Sequence, residues 1–137
     1  MPFLEKDFNN LIKLIREKKN LEFEKKIKKF LNENKNSFIL MNILGFYYKT
    51  NSRILDAENT FKKSIKIKEN SDAYNNIGLI KAEKKEIDEA IFFFKKAINI
   101  NNKNPSYLNN LGNALAELKL LDEAKEKFND AISLDKN

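Results

Sequence analysis

The sequence predicts an all-α chain of stacked antiparallel helix pairs, about eight helices in all. Two observations carry that prediction. The first is a repeat: Gly45, Gly78 and Gly112 lie 33 and 34 residues apart, and the same intervals separate Ala57, Ala90 and Ala124, and again Phe61, Phe94 and Phe128. Ser64/Ala97/Ala131, Ile65/Ile98/Ile132 and Ile67/Ile100/Leu134 keep the same register. A recurrence of that length signals one supersecondary unit stacked on copies of itself. The second is helical spacing inside each unit. Leu108, Leu111, Leu115 and Leu118 form one apolar stripe, and after a break Leu121, Ala124, Phe128, Ala131, Ile132 and Leu134 form another.

Taken in order, residues 1–37 hold two stripes, Leu4, Phe8, Leu11 and Ile15, then Phe23, Ile27, Phe30 and Leu31. They lack the glycine and alanine columns, so we read them as a degenerate hairpin capping the stack, where repeats are expected to be atypical. Residues 38–70, 71–104 and 105–137 are the three full repeats, and residues 1–137 form a single domain on this reading. Ser37, Ser71 and Asn104 stand where first helices should start, and Pro105 suits a first helical position. Asp88-Glu89 and Asp122-Glu123 place acids in the first turn of second helices, where the helix dipole favours them.

A glycine inside a helix costs about 1 kcal/mol against alanine. Its repetition therefore predicts a close approach by a partner helix carrying the repeated alanine, with the repeated phenylalanine filling the space between successive hairpins. These columns are read as packing residues, not as a site.

Composition narrows the chemistry further. The 137 residues include no cysteine, histidine or tryptophan. That excludes thiolate nucleophiles, imidazole acid–base catalysis and zinc sites built on Cys or His. The acids recur in register at helix starts, and the glycines sit within helices and cannot form a phosphate-cradling loop. The expectation is a protein that is not an enzyme and holds no metal and no cofactor. The start, Met1-Pro2-Phe3-Leu4-Glu5-Lys6-Asp7, lacks the basic-then-apolar order of a secretory leader. No window reaches the roughly 20 apolar residues of a membrane span, and a cytoplasmic protein with no membrane association is expected. The net charge of +6 is graded, from +4 over residues 1–37 to −2 over residues 105–137. Without an arginine cluster or stacking aromatics, nucleic acid is the least favoured partner.

Tyr74-Asn75-Asn76-Ile77-Gly78 with Asp88-Glu89-Ala90-Ile91 and Phe94-Lys95-Lys96-Ala97-Ile98 resembles the tetratricopeptide (TPR) repeat. So does Leu108-Asn109-Asn110-Leu111-Gly112-Asn113-Ala114 with Asp122-Glu123-Ala124-Lys125 and Phe128, and a shorter version spans Met41–Tyr48 with Asp56-Ala57-Glu58. The resemblance implies a right-handed superhelical solenoid whose first helices line a concave groove, acting as a scaffold or adaptor that binds a peptide or protein segment. The groove residues it implies are Asn42, Phe46, Asn75, Asn76, Leu79, Asn109, Asn110 and Asn113, with Lys49, Glu83 and Glu117 farther along. Asparagine suits a groove because its amide both donates and accepts, and the Asn76/Asn110 pair resembles the asparagine ladder of protein O-glycosyltransferase repeats. Chaperone-tail binding is disfavoured: such members clamp a carboxylate with two lysine or arginine positions alongside asparagines, and the matching positions here hold Asn42, Phe46, Asn76, Ser106 and Asn110, which keep the asparagine of the second repeat but no cation. The alternative implied by the resemblance is an N-terminal, substrate-recruiting segment of a larger bacterial glycosyltransferase or sulfotransferase.

Phe92-Phe93 replaces Asn59-Thr60 and Glu126-Lys127 of the flanking repeats. With Phe94 in the core register, this pair marks a second candidate contact, for self-association or another partner.

Overall fold

The computed structural model describes residues 3–136; the first two residues and the last one, which the expected domain includes, lie outside it. Eight helices run through them in four pairs: α1 (Glu5–Arg16) with α2 (Asn20–Glu33), α3 (Phe38–Thr50) with α4 (Ile54–Ile67), α5 (Ser71–Glu83) with α6 (Ile87–Ile100), and α7 (Pro105–Glu117) with α8 (Leu121–Asp135). They fall into two compact units, one ending at Lys68 and one beginning at Glu69.

One turn joins the two helices of every pair. Lys18, Ser52, Lys85 and Lys119 all have positive φ, between 56° and 64°. In each case the left-handed residue donates its N–H to the third residue before it, and the next residue donates to the fifth before it. Lys18 N bonds Ile15 O at 3.1 Å and Lys19 N bonds Leu14 O at 3.0 Å, and the same pair of bonds recurs at Ser52/Arg53, Lys85/Glu86 and Lys119/Leu120. This is the Schellman closure of a helix C-terminus, here made without glycine. The residue after the left-handed one opens the second helix. It has no side-chain cap, and Glu22, Asp56, Asp88/Glu89 and Asp122/Glu123 sit in those first turns near the positive end of the helix dipole.

First helices are capped differently. The Ser37 hydroxyl accepts from Leu40 N at 3.2 Å and the Asn104 side chain accepts from Ser106 N at 3.0 Å, as expected. For α5, however, the cap is Asn70, whose Oδ1 accepts from Ala73 N at 3.0 Å. Ser71 is already inside the helix, one residue later than its sequence position suggested. Its hydroxyl lies instead 3.3 Å from that of Tyr107.

The glycines do mark close approaches, but to a different neighbour than expected. A methyl group on Gly45, Gly78 or Gly112 would stand 2.7, 2.6 or 2.6 Å from a ring carbon of Phe61, Phe94 or Phe128 respectively. The repeated phenylalanine of the same pair thus lies over the bare glycine, and the ring, not the alanine, fills the space that a side chain would take. Phe61 and Phe94 are fully buried, while Phe128 is half-buried. The remaining columns divide: Ala57, Ala90, Ala97 and Ala131 are buried, but Ile100 and Ile132 are about half exposed.

In the first pair the register persists while the sizes are exchanged. Lys18 lies 34 residues before Ser52, and Leu11, Phe23 and Ile27 lie 34 before Gly45, Ala57 and Phe61. Large residues stand where glycine and alanine stand later, and α1 and α2 approach each other far less closely than α3 and α4 do. Leu11, Phe23 and Ile27 are buried with Leu14, Leu40 and Tyr47, and the Phe23 ring stacks on Tyr47 at 4.3 Å. The second unit has its own core of Ile87, Ala90, Phe94, Leu111, Leu115 and Ala124. Every buried side-chain polar atom among the described residues has a hydrogen-bond partner.

Candidate functional site

The expected groove residues lie on first helices, and the structure sorts them by what their amides already do. In the second unit the Asn110 amide of α7 donates to Asn75 Oδ1 of α5 at 2.9 Å. Asn76, which shares a column with Asn110, takes no part in this bond. That residue instead donates back along its own helix to the Asp72 carbonyl, at 2.9 Å. The reason is register on the helix surface: Asn75 and Asn76 point about 100° apart around α5, and only one can face α7. Asn75, Asn76, Asn110 and Leu79 are half-buried, whereas Asn109 and Asn113 are exposed.

A tyrosine braces the start of this face. The buried Tyr107 donates its hydroxyl to Asp72 Oδ1 at 2.6 Å, tying α7 to the first turn of α5. Burial, followed by the hydrogen bond to Asp72, pushes the phenol up to about 12. This tie was absent from the sequence reading, because tyrosine at that position has no counterpart in the other repeats. With Asn75 and Asn110 linked, the Asn75 amide nitrogen and the Asn110 carbonyl oxygen are uncommitted among the described residues. One donor and one acceptor therefore stand side by side, a pattern that matches the main chain of an extended peptide.

In the first unit the corresponding asparagine is otherwise engaged. Asn42 Oδ1 accepts from the buried Ser64 hydroxyl at 2.6 Å, so that side chain helps to join α3 to α4. Phe46, one turn later, is about a third exposed, at 37%. Ser64 is replaced by Ala97 and Ala131 in the later pairs, which leaves Asn75 and Asn109 without this partner.

Phe92 and Phe93 point different ways. Phe93 is half-buried, with its ring 6.3 Å from that of Tyr74, while Phe92 is 54% exposed. The two rings meet edge to face at 5.3 Å, and the Lys96 ammonium lies 5.6 Å from the Phe92 ring centre. The acids of the second helices are structural where they are paired: Glu86 and Glu89 both bind Lys81, at 2.7 and 3.1 Å. No cluster of three potential metal ligands, and no helix long and apolar enough to cross a membrane, occurs among the described residues.

The family described as TPR repeat matches residues 78–119, and that described as Tetratricopeptide repeat matches residues 105–137. Together the two tetratricopeptide-repeat models match residues 78–137, a little under half of the chain. Solved structures extend the likeness to nearly the whole chain. MamA superposes with a TM-score of 0.75 at 24% identity, over 93% of this chain and 78% of that one. The pilF protein of Pseudomonas aeruginosa gives 0.80 at 17%, over 90% of this chain and 57% of that one. YrrB, described as a TPR protein with an unusual peptide-binding site, gives 0.73 at 19%, over 93% and 66%. At such identities the likeness concerns the fold, whose class is the tetratricopeptide-like solenoid of helix pairs. No curated protein matches the sequence.

Proposed function

We propose that the chain is a protein–protein interaction scaffold that takes an extended peptide segment against the asparagine face of α5 and α7. The observation that carries the reading is the Asn75–Asn110 bond, which links two half-buried amides and leaves the Asn75 amide nitrogen as a donor and the Asn110 amide oxygen as an acceptor for a peptide's main chain. Asn109 and Asn113 continue the same helix outward, and Leu79 supplies apolar contact. In the first unit, taken by itself, Phe46 leaves apolar surface exposed and Asn42 serves packing. The proposal includes a single repeat domain with the boundaries given above.

Affinity capture with the folded full chain tests it, comparing the native sequence with Asn75→Ala/Asn110→Ala. Each amide hydrogen bond contributes about 1 kcal/mol, so the pair predicts a loss of roughly tenfold or more in affinity for a captured partner. The helical circular dichroism should be unchanged. Undiminished capture by the double variant would refute the asparagine face as the binding surface.

A further inference from the structure

A second kind of surface recurs in both units. In the first unit a cleft of about 400 Å³ opens between α2 and α3, with Ile27, Leu31, Leu44 and Tyr48 among its apolar walls and Lys28 and Arg53 among its cations. In the second unit a cleft of about 220 Å³ opens between α6 and α7, walled by Ile98, Leu108 and Leu111 with Lys95 and Lys127. Four lining residues correspond. Lys28, Leu31, Asn32 and Leu44 are matched by Lys95, Ile98, Asn99 and Leu111, each 67 residues later, which is two repeat periods. The same set of a lysine, a branched aliphatic, an asparagine and a leucine has thus been placed at two sites.

The leucines and isoleucines have a packing role that explains them. The lysines do not. Lys28 and Lys95 are exposed, and neither has an ion-pair partner among the described residues. Glu24 is the one carboxylate lining either cleft, and it accepts a hydrogen bond from the buried Tyr47 hydroxyl. Arg53 is held in place, its guanidinium 4.4 Å from the Tyr48 ring centre and its Nε 2.8 Å from Asp56. Lys127 is likewise engaged, by Glu126 at 3.2 Å and Asp130 at 3.7 Å, so each cleft joins an apolar floor to one exposed lysine without an ion pair, with an asparagine amide beside it.

We propose that these clefts are docking sites for an acidic protein segment. Each takes one apolar side chain, and a neighbouring carboxylate of the segment meets Lys28 or Lys95. The chemistry selects such a segment over a basic one, because a lysine or arginine brought to either cleft would face the ammonium group of Lys28 or Lys95, neither of which has an ion-pair partner among the described residues.

The test is a residue-resolved NMR titration of the full chain with a capped acidic peptide, acetyl-Glu-Asp-Leu-Phe-Asp-Glu-amide. A peptide with lysine at every acidic position serves as the comparison. Saturable shifts are expected at the amides of residues 27–32 and 44–53 and of residues 95–99 and 108–111, with the acidic peptide alone. They should weaken as salt rises from roughly 0.05 to 0.5 M. Lys28→Glu should weaken binding about tenfold or more at the first cleft and leave the second unchanged, Lys95→Glu should do the reverse, and Lys28→Arg should retain binding. Both lysines are exposed, so the folded spectrum serves as an internal control. Equal response to the basic peptide would overturn the proposal. So would shifts confined to residues 75–79 and 109–113, which would leave the asparagine face standing by itself.

Discussion

The close contact between glycine and phenylalanine makes a prediction that separates burial from contact distance. Replacing Gly78 by alanine adds a methyl group 2.6 Å from a carbon of Phe94. Carbon atoms rest at about 3.5–4.0 Å, so the ring must retreat by about 1 Å. It has nowhere to go, since Phe94 is only 1% exposed and packs in the core of its unit. Overpacking of that kind costs about 1–3 kcal/mol, while alanine gains about 1 kcal/mol of helix propensity over glycine. Gly78→Ala should therefore lose up to about 2 kcal/mol net. Gly112→Ala meets Phe128 at the same 2.6 Å. Phe128 is half-buried, though, and its ring can turn outward. There the propensity gain should offset most of the strain, leaving stability within about 0.5 kcal/mol of the native value. Urea unfolding followed by circular dichroism measures both, and Phe94→Leu completes a double-mutant cycle. Without the ring, Gly78→Ala should become stabilising by up to about 1 kcal/mol. Equal losses at Gly78 and Gly112, or a Gly78→Ala penalty that survives Phe94→Leu, would refute the view that a locked ring sets the glycine requirement.

Other consequences follow from the caps, the turns and the phenols. Asn70→Ala should destabilise by about 1 kcal/mol through loss of the α5 cap, whereas Ser71→Ala should change thermal stability far less; the two midpoints tell which residue begins the helix. Lys85→Gly should stabilise by about 0.5–1 kcal/mol by relieving the left-handed residue of its side chain, and Lys85→Val should destabilise by about 1 kcal/mol or more, both read from urea midpoints. Tyr47 and Tyr107 are each pushed up to about 12, first by burial and then by their bonds to Glu24 and Asp72. An unfolded phenol titrates near 10, so between about pH 10 and 12 the unfolded chain releases protons that the folded chain keeps, and stability must fall with rising pH. Tyr107→Phe should remove one late phenol from an alkaline ultraviolet titration and flatten that fall.

The fold was legible because packing at a fixed period leaves a mark at every turn of the stack. Gly45, Gly78 and Gly112 record a ring lying on a bare backbone, and nothing but a small residue would fit. What faced the glycine was not legible, because alanine and phenylalanine recur with the same period and spacing alone cannot choose between them. The turns were hidden for a different reason. Lys18, Ser52, Lys85 and Lys119 adopt a left-handed conformation usually marked by glycine or asparagine, and their backbone hydrogen bonds leave no trace in side-chain type. For the same reason the first pair looked degenerate: its turn is in register at Lys18, but Leu11 and Phe23 have exchanged size with the small columns that define the repeat.

The asparagine face shows where periodic reasoning stops. Asn42, Asn75 and Asn109 occupy one column, three residues before each glycine, and a repeat argument assigns them one role. The second helix of each pair offers them different partners. Ser64 engages Asn42, and Ala97 and Ala131 have nothing to offer Asn75 and Asn109, so Asn75 turns to Asn110 instead. Specificity in a repeat scaffold thus resides in departures from the period, since residues that keep it are committed to holding neighbours together. A different criterion favours Lys28 and Lys95 over the aliphatic residues around them: they keep the period, but the aliphatics are buried in packing, whereas these two lysines are exposed and have no ion-pair partner among the described residues.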